Sequence, residues 1–263
     1  EAGLRLFRPV RYLKPPTPVP QDGRRTSLYR RSAVPGLSYE MVPVRDGSFE
    51  GMQVRTNSLG MRGGEPAPAD PSLFRIAALG DSFTFGFGVA EEETYPAVLE
   101  RILNGSSSAR DRRFEVLNLG VVGYNTIDEA VVLEHRALPL DPRVVLLGYV
   151  LNDPESDPRQ SLHRHFDPPS WWRHSHALRL LHLGWNRVEV YRTGGGDYIR
   201  YLHAPQGEKW RGVVDAFRKI GKATRDRGTQ VVVAIFPVLP REDWGGYPYR
   251  DLHARVSEAA RAE

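Results

Sequence analysis

The stretch Phe74-Arg-Ile-Ala-Ala-Leu-Gly-Asp-Ser-Phe-Thr-Phe-Gly-Phe-Gly88 decides how the chain reads. Its first six residues are a short apolar run, as expected of a parallel strand buried on both faces. The run breaks at Gly80-Asp81-Ser82, and Gly86 and Gly88 let the backbone double back. A serine on a strand-to-helix turn projects its hydroxyl above the sheet, with backbone N–H groups pointing the same way. Taken alone, the turn serves equally well as an ordinary helix cap. A phosphate loop fits poorly, because no Gly-Lys-Ser/Thr follows.

Downstream, strands and helices alternate. Further strands are expected at Phe114–Leu119, Arg143–Val150 and Gln230–Phe236. A helix is expected over Glu91–Asn104, with Tyr95, Val98, Leu99, Ile102 and Leu103 on one face. A second, over Thr126–Leu138, carries Ile127, Ala130, Val131 and His135 at helical spacing. A third spans Gly207–Gly228 around Trp210, Val213, Val214, Phe217 and Ile220, and a last one Tyr249–Ala262. Such an alternation implies right-handed crossovers and an α/β fold, a three-layer α/β/α sandwich on a parallel sheet.

Sites in such sheets lie beyond the carboxyl ends of the strands. The residues there are Gly80-Asp81-Ser82, the run Asn118 to Gly123, and Asn152-Asp153. Two glycines after a strand permit close approach of a ligand, or simply make a turn. A side-chain amide is a good oxyanion donor because it offers N–H without charge; an Asx turn is the plainer reading of Asn152.

Together the three segments resemble the SGNH/GDSL hydrolases. The resemblance runs from about residue 73 to the C-terminus, and Thr56-Asn-Ser-Leu-Gly-Met-Arg62 looks like the lead-in of larger bacterial members. It implies a flavodoxin-like fold and hydrolysis of a lipid, an acylated carbohydrate or another small ester, without metal or organic cofactor. Ser82 would be the nucleophile, Gly123 the backbone oxyanion donor and Asn152 the side-chain donor.

One family motif is missing. The general base and its orienting carboxylate come from Asp-x-x-His, and no Asp here is followed by His three positions later. Asp251-Leu-His253 has the wrong spacing and falls on the apolar-striped final helix, so both residues are expected on its surface. The chain, which opens on Glu1 rather than Met, is therefore expected to be a piece that stops before the base.

Residues 1–72, rich in Pro and Gly, are expected to form an extended arm on a core of residues 73–263, with short strands near Leu37–Val42 and Met52–Thr56. An insertion near residues 154–206 carries Trp171, Trp172, Leu178, Leu180, Leu181, Leu183 and Trp185, apolar enough to pack on the sheet edge or cover the site. His163, His165, His174 and His176, with Asp167, are read as solvated rather than as metal ligands.

Composition narrows the rest. Zero Cys removes disulfides and a thiol nucleophile, and no run of 18 apolar residues is present to span a membrane. The formal charge of +4 comes from bases scattered among acids, including a solvated cluster at Arg24, Arg25, Arg30 and Arg31, so no nucleic-acid partner is expected. Membrane contact is left to residues outside this chain. The runner-up function is a non-catalytic carbohydrate- or lipid-binding member of the same fold.

Overall fold

A computed structural model describes residues 28–49, 51–106, 112–155, 175–238 and 246–263. Its centre is a parallel sheet of β5 (Leu73–Gly80), β6 (Arg113–Asn118), β7 (Val144–Val150) and β8 (Gln230–Phe236) in the order β6-β5-β7-β8. Ahead of it lie two antiparallel pairs, β1 (Tyr29–Arg31) with β2 (Tyr39–Met41) and β3 (Arg45–Phe49) with β4 (Met52–Thr56). The helices are α1 (Ser82–Phe85), α2 (Tyr95–Gly105), α3 (Thr126–Val132), α4 (His176–Gly194), α5 (Tyr198–Leu202), α6 (Glu208–Arg225) and α7 (Arg250–Ala262).

Side chains alternate across each strand and so feed two layers. Ile76, Ala78 and Val116 pack with Tyr95, Leu99 and Leu103 of α2 on one face. Ala77, Leu79, Leu117, Val145 and Leu147 face the other way, into a core shared with Leu133, Val213, Phe217, Ile220 and Val256. The three-layer α/β/α sandwich expected from the sequence is therefore the observed fold, and the four strands fall within one residue of their expected ends.

The helices depart more. The region expected as one helix from Glu91 opens as a 3-10 turn over Glu91–Glu93, and α2 starts only at Tyr95. Thr94 Oγ1 caps that start by accepting from Ala97 N at 3.4 Å, with Pro96 in the first turn. Ile102, expected inward, is exposed.

The second helix departs further. α3 gives way to a π turn over Leu133–Ala137 and a 3-10 turn over Leu138–Leu140, where Pro139 supplies no N–H. Its buried face is Thr126, Glu129, Ala130 and Leu133, while Ile127 and His135 are exposed. The expected stripe is displaced because the helix turns an acid, Glu129, toward the sheet.

The segment ahead of the sheet shares the main core: Tyr39, Met41, Phe49, Val54 and Met61 join Phe85, Leu119 and Tyr124. Glu40 accepts from Arg30 Nε at 2.9 Å and from Arg136 Nη2, beyond α3, at 2.5 Å. Arg62 bridges Thr56 on one side and Asn118 on the other, joining this segment to the β6 edge. At the opposite end of the strands, Arg75 binds Glu115 at 2.6 Å and donates to the carbonyls of Leu140 and Ala67. Glu115 also accepts from Ala67 N at 2.6 Å.

Within the insertion, α4 leaves Leu181, Trp185, Val188 and Tyr191 exposed, whereas Leu202 of α5 and the following His203 are fully buried. Residues 156–174, with Trp171, Trp172, His163, His165, Asp167 and His174, lie outside the described residues, as does the side chain of His176. No described helix is long and apolar enough to cross a membrane.

Candidate active site

The strand order sets the site. β5 ends at Gly80 and lies between β6 and β7, so the turns after all three strands emerge side by side. β6 lies on one side of β5 and β7 on the other, which opens a crevice at the carboxyl ends. Ser82 stands on the first turn, Gly123 follows the second strand and Asn152 follows the third.

Ser82 opens the single-turn helix α1. Asp81 caps that turn by accepting from Phe83 N at 2.8 Å, and Gly86 closes it in the left-handed conformation. Ser82 Oγ donates to Asp81 Oδ2 at a long 3.5 Å. On the surface beside it, Phe83 and Phe87 expose their rings, and Phe83 stacks on Phe236 at the end of β8 with centroids 5.6 Å apart.

The loop after β6 follows the backbone of β5: Leu119 N donates to Ala78 O at 2.8 Å and Val121 N to Gly80 O at 3.1 Å. Gly120 then lies so close to α1 that a Cβ would meet Phe85 N at 2.3 Å, which ties this loop to the nucleophile turn. Gly123 has φ of +84°, and a Cβ there would come within 2.9 Å of Tyr39 Oη. Only glycine takes that conformation and that approach without strain. Among the described residues nothing accepts from the Gly123 N–H. Asn125 then starts α3, accepting from Ile127 N at 2.9 Å and Asp128 N at 3.1 Å.

Asn152 is exposed, and its side chain bonds no described residue. Its neighbour Asp153 is buried and accepts from Thr126 Oγ1 at 3.2 Å, and Oδ1 has no partner among the described residues. Glu129 is buried too, with neither oxygen bonded among the described residues. Burial pushes both carboxyls well above the usual range, and the pair repel each other and Asp81 if charged. Burial likewise pushes Asp81 up to about 6, against the pull of the Phe83 N–H and the Ser82 hydroxyl. The floor of the crevice is therefore a cluster of three acids whose burial and mutual repulsion favour the protonated form. Nothing in the sequence pattern signals this group, because an acid three or four residues after Asn125 reads as helix-end chemistry.

No described histidine hydrogen-bonds Ser82. His203 has both nitrogens engaged: Nδ1 lies 2.9 Å from Ile199 O, and Nε2 lies 2.9 Å from Tyr149 Oη. The Nδ1–H donates to that carbonyl, so Nε2 accepts from the tyrosine, and burial lowers the imidazole to about 4. His203 is a structural residue. His253, expected on the helix surface, is half-buried with Nε2 2.7 Å from Tyr247 Oη. Asp251 is exposed and pairs instead with Arg200 at 2.7 Å, so these two residues do not form a dyad.

The sequence also gave no hint of the clamp on the nucleophile turn. Buried Arg62 donates to Phe85 O at 2.8 Å, Gly86 O at 2.7 Å and Val89 O at 2.8 Å. It closes the lead-in motif Thr56–Arg62, whose Asn57 accepts from Leu59 N and Met61 N.

Residues 78–263 match the model of the GDSL-like lipase/acylhydrolase family. No curated protein sequence matches the chain. Among solved structures the chain is similar to TesA, with 15% identity over 72% of this chain and 73% of that one and a TM-score of 0.39. It is also similar to a catalytic mutant of an acetylxylan esterase from Geobacillus stearothermophilus, with 14% identity over 72% of each chain and a TM-score of 0.41. A lipase from a goat rumen metagenome shows 14% identity over 72% of this chain and 73% of that one, with a TM-score of 0.39.

Proposed function

The chain belongs to the GDSL-like lipase/acylhydrolase family, and we propose that it hydrolyses a small ester by acyl transfer through Ser82. The observation that supports this reading is the place of β5 between β6 and β7, the strands that lead to Gly123 and Asn152. Ser82 Oγ attacks the ester carbonyl carbon while a general base takes its proton. The base is a histidine, as the family resemblance implies. Negative charge gathers on the carbonyl oxygen, where the N–H groups of Ser82 and Gly123 and the Asn152 side chain donate to it. The C–O bond to the alcohol breaks, the alcohol leaves with the proton, and water then attacks the acyl-serine to release the acid.

Exposed Phe83 and Phe87 beside Ser82 suit a substrate with an apolar or ring face. The same rings also suit the second reading, a carbohydrate- or lipid-binding member without catalysis. A fluorophosphonate probe on the full-length protein separates the two. Labelling lost in Ser82→Ala supports the enzyme; no labelling, or labelling that survives the substitution, overturns the assignment of Ser82.

A further inference from the structure

We infer that Tyr39, in β2 ahead of the sheet, is a positioning residue that aims the Gly123 N–H at the ester oxygen. The inference rests on the reading of Gly123 as an oxyanion donor. Tyr39 is fully buried, and its Oη donates to Val122 O at 2.8 Å across 83 residues of chain. That carbonyl and the Gly123 N–H belong to one peptide group. A trans peptide is planar with its C=O and N–H on opposite sides, so holding the oxygen fixes the direction of the hydrogen. The phenol stands on one side of the plane's edge and the N–H leaves on the other, where no described residue accepts from it.

The tyrosine is itself held. Tyr124 Oη donates to Tyr39 O, and the two rings lie 5.2 Å apart. Tyr29 packs edge-on against the Tyr39 ring at 5.7 Å. Loop and strand thus grip each other reciprocally: a side chain from β2 holds the loop backbone, and a side chain from the loop holds the β2 backbone. Gly123 is required by the same contact, since a Cβ would strike the phenol. Donation to the carbonyl also polarises the peptide, which strengthens its N–H as a donor.

A positioning bond of this kind acts on the transition state, where charge sits on the oxygen, more than on bound substrate. Tyr39→Phe keeps the ring and removes the donor. In the full-length protein assayed on a short-chain nitrophenyl ester, kcat is expected to fall on the order of tenfold with KM within about twofold. Binding of a trifluoromethyl ketone, which presents an oxyanion once Ser82 Oγ adds to its carbonyl carbon and loses its proton to the base, is expected to weaken by a similar factor. The thermal midpoint tells whether a loss merely tracks the folded fraction. Unchanged kcat in folded Tyr39→Phe, with Ser82→Ala inactive, overturns the inference and leaves the serine reading standing. Loss only in proportion to unfolding overturns it also, as does an active Ser82→Ala, which removes the serine reading on which it rests. Should Tyr39→Phe fail to fold, Tyr124→Phe loosens the same grip from the loop side and carries the same expectations.

Discussion

The guanidinium of Arg62 lies 4.8 Å above the ring of Phe85 while its Nη1 donates to that residue's own carbonyl. The same side chain reaches the carbonyls of Gly86 and Val89, so one buried cation satisfies the end of the nucleophile turn. An ammonium cannot span three acceptors from one planar fork. Arg62→Lys is expected to destabilise the protein by roughly 2–4 kcal/mol, read from urea unfolding, because buried carbonyls lose their donors. A variant with the wild-type midpoint would show the clamp to be idle.

The acids under the crevice make stability depend on pH in the unusual direction. Asp81, Glu129 and Asp153 all have folded-state pKa values above their unfolded ones. Between those values the native chain binds more protons than the unfolded chain, so stability falls as pH rises. For Asp81 the window runs from roughly 4 to about 6 and amounts to something on the order of 3 kcal/mol. Glu129→Gln removes one of the repelling charges. Its urea midpoint is expected to exceed that of the wild type at pH 8 and to change less between pH 5 and pH 8; a parallel pair of curves would contradict this.

Asn152 is exposed and its side chain bonds no described residue, so losing that side chain should cost little stability. As an oxyanion donor it should matter only while charge is on the oxygen. Asn152→Ala is expected to lower kcat by about 10²–10³, with KM nearly unchanged and the melting point within experimental scatter. A variant of full rate would leave Asn152 as the cap of β7.

The sheet was legible in the sequence because each strand is a short, mostly apolar run bounded by turn residues, and Phe74–Leu79 is recognisable as buried despite Arg75. The turns that follow were legible for the same reason, since a parallel sheet dictates where its ligands sit. What hid were contacts between residues far apart in the chain. His203 bonds Tyr149 across 54 residues, and Arg62 bonds Phe85 across 23. Glu129 hid for another reason: a buried acid breaks the rule that charged residues mark the solvent face, and the apolar stripe drawn through Ile127 and His135 went astray with it. Pro139 was visible, but a proline near a helix end does not by itself announce a π turn.

The ion pair of Arg75 with Glu115 ties the sheet, the stretch around Ala67 and the end of the α3 region together at the pole away from the crevice. It gives the molecule a division of labour. One pole is locked by charge and backbone bonds that tolerate little change, while the other carries, around a fixed nucleophile turn, exposed side chains such as Phe83 and Phe87 that no such lock holds. Substitutions at Phe83 or Phe87 can then retune substrate choice without disturbing the lock, and their effects should add to those of changes near Arg75. Such a layout lets new specificities arise one loop at a time on a foundation that stays put.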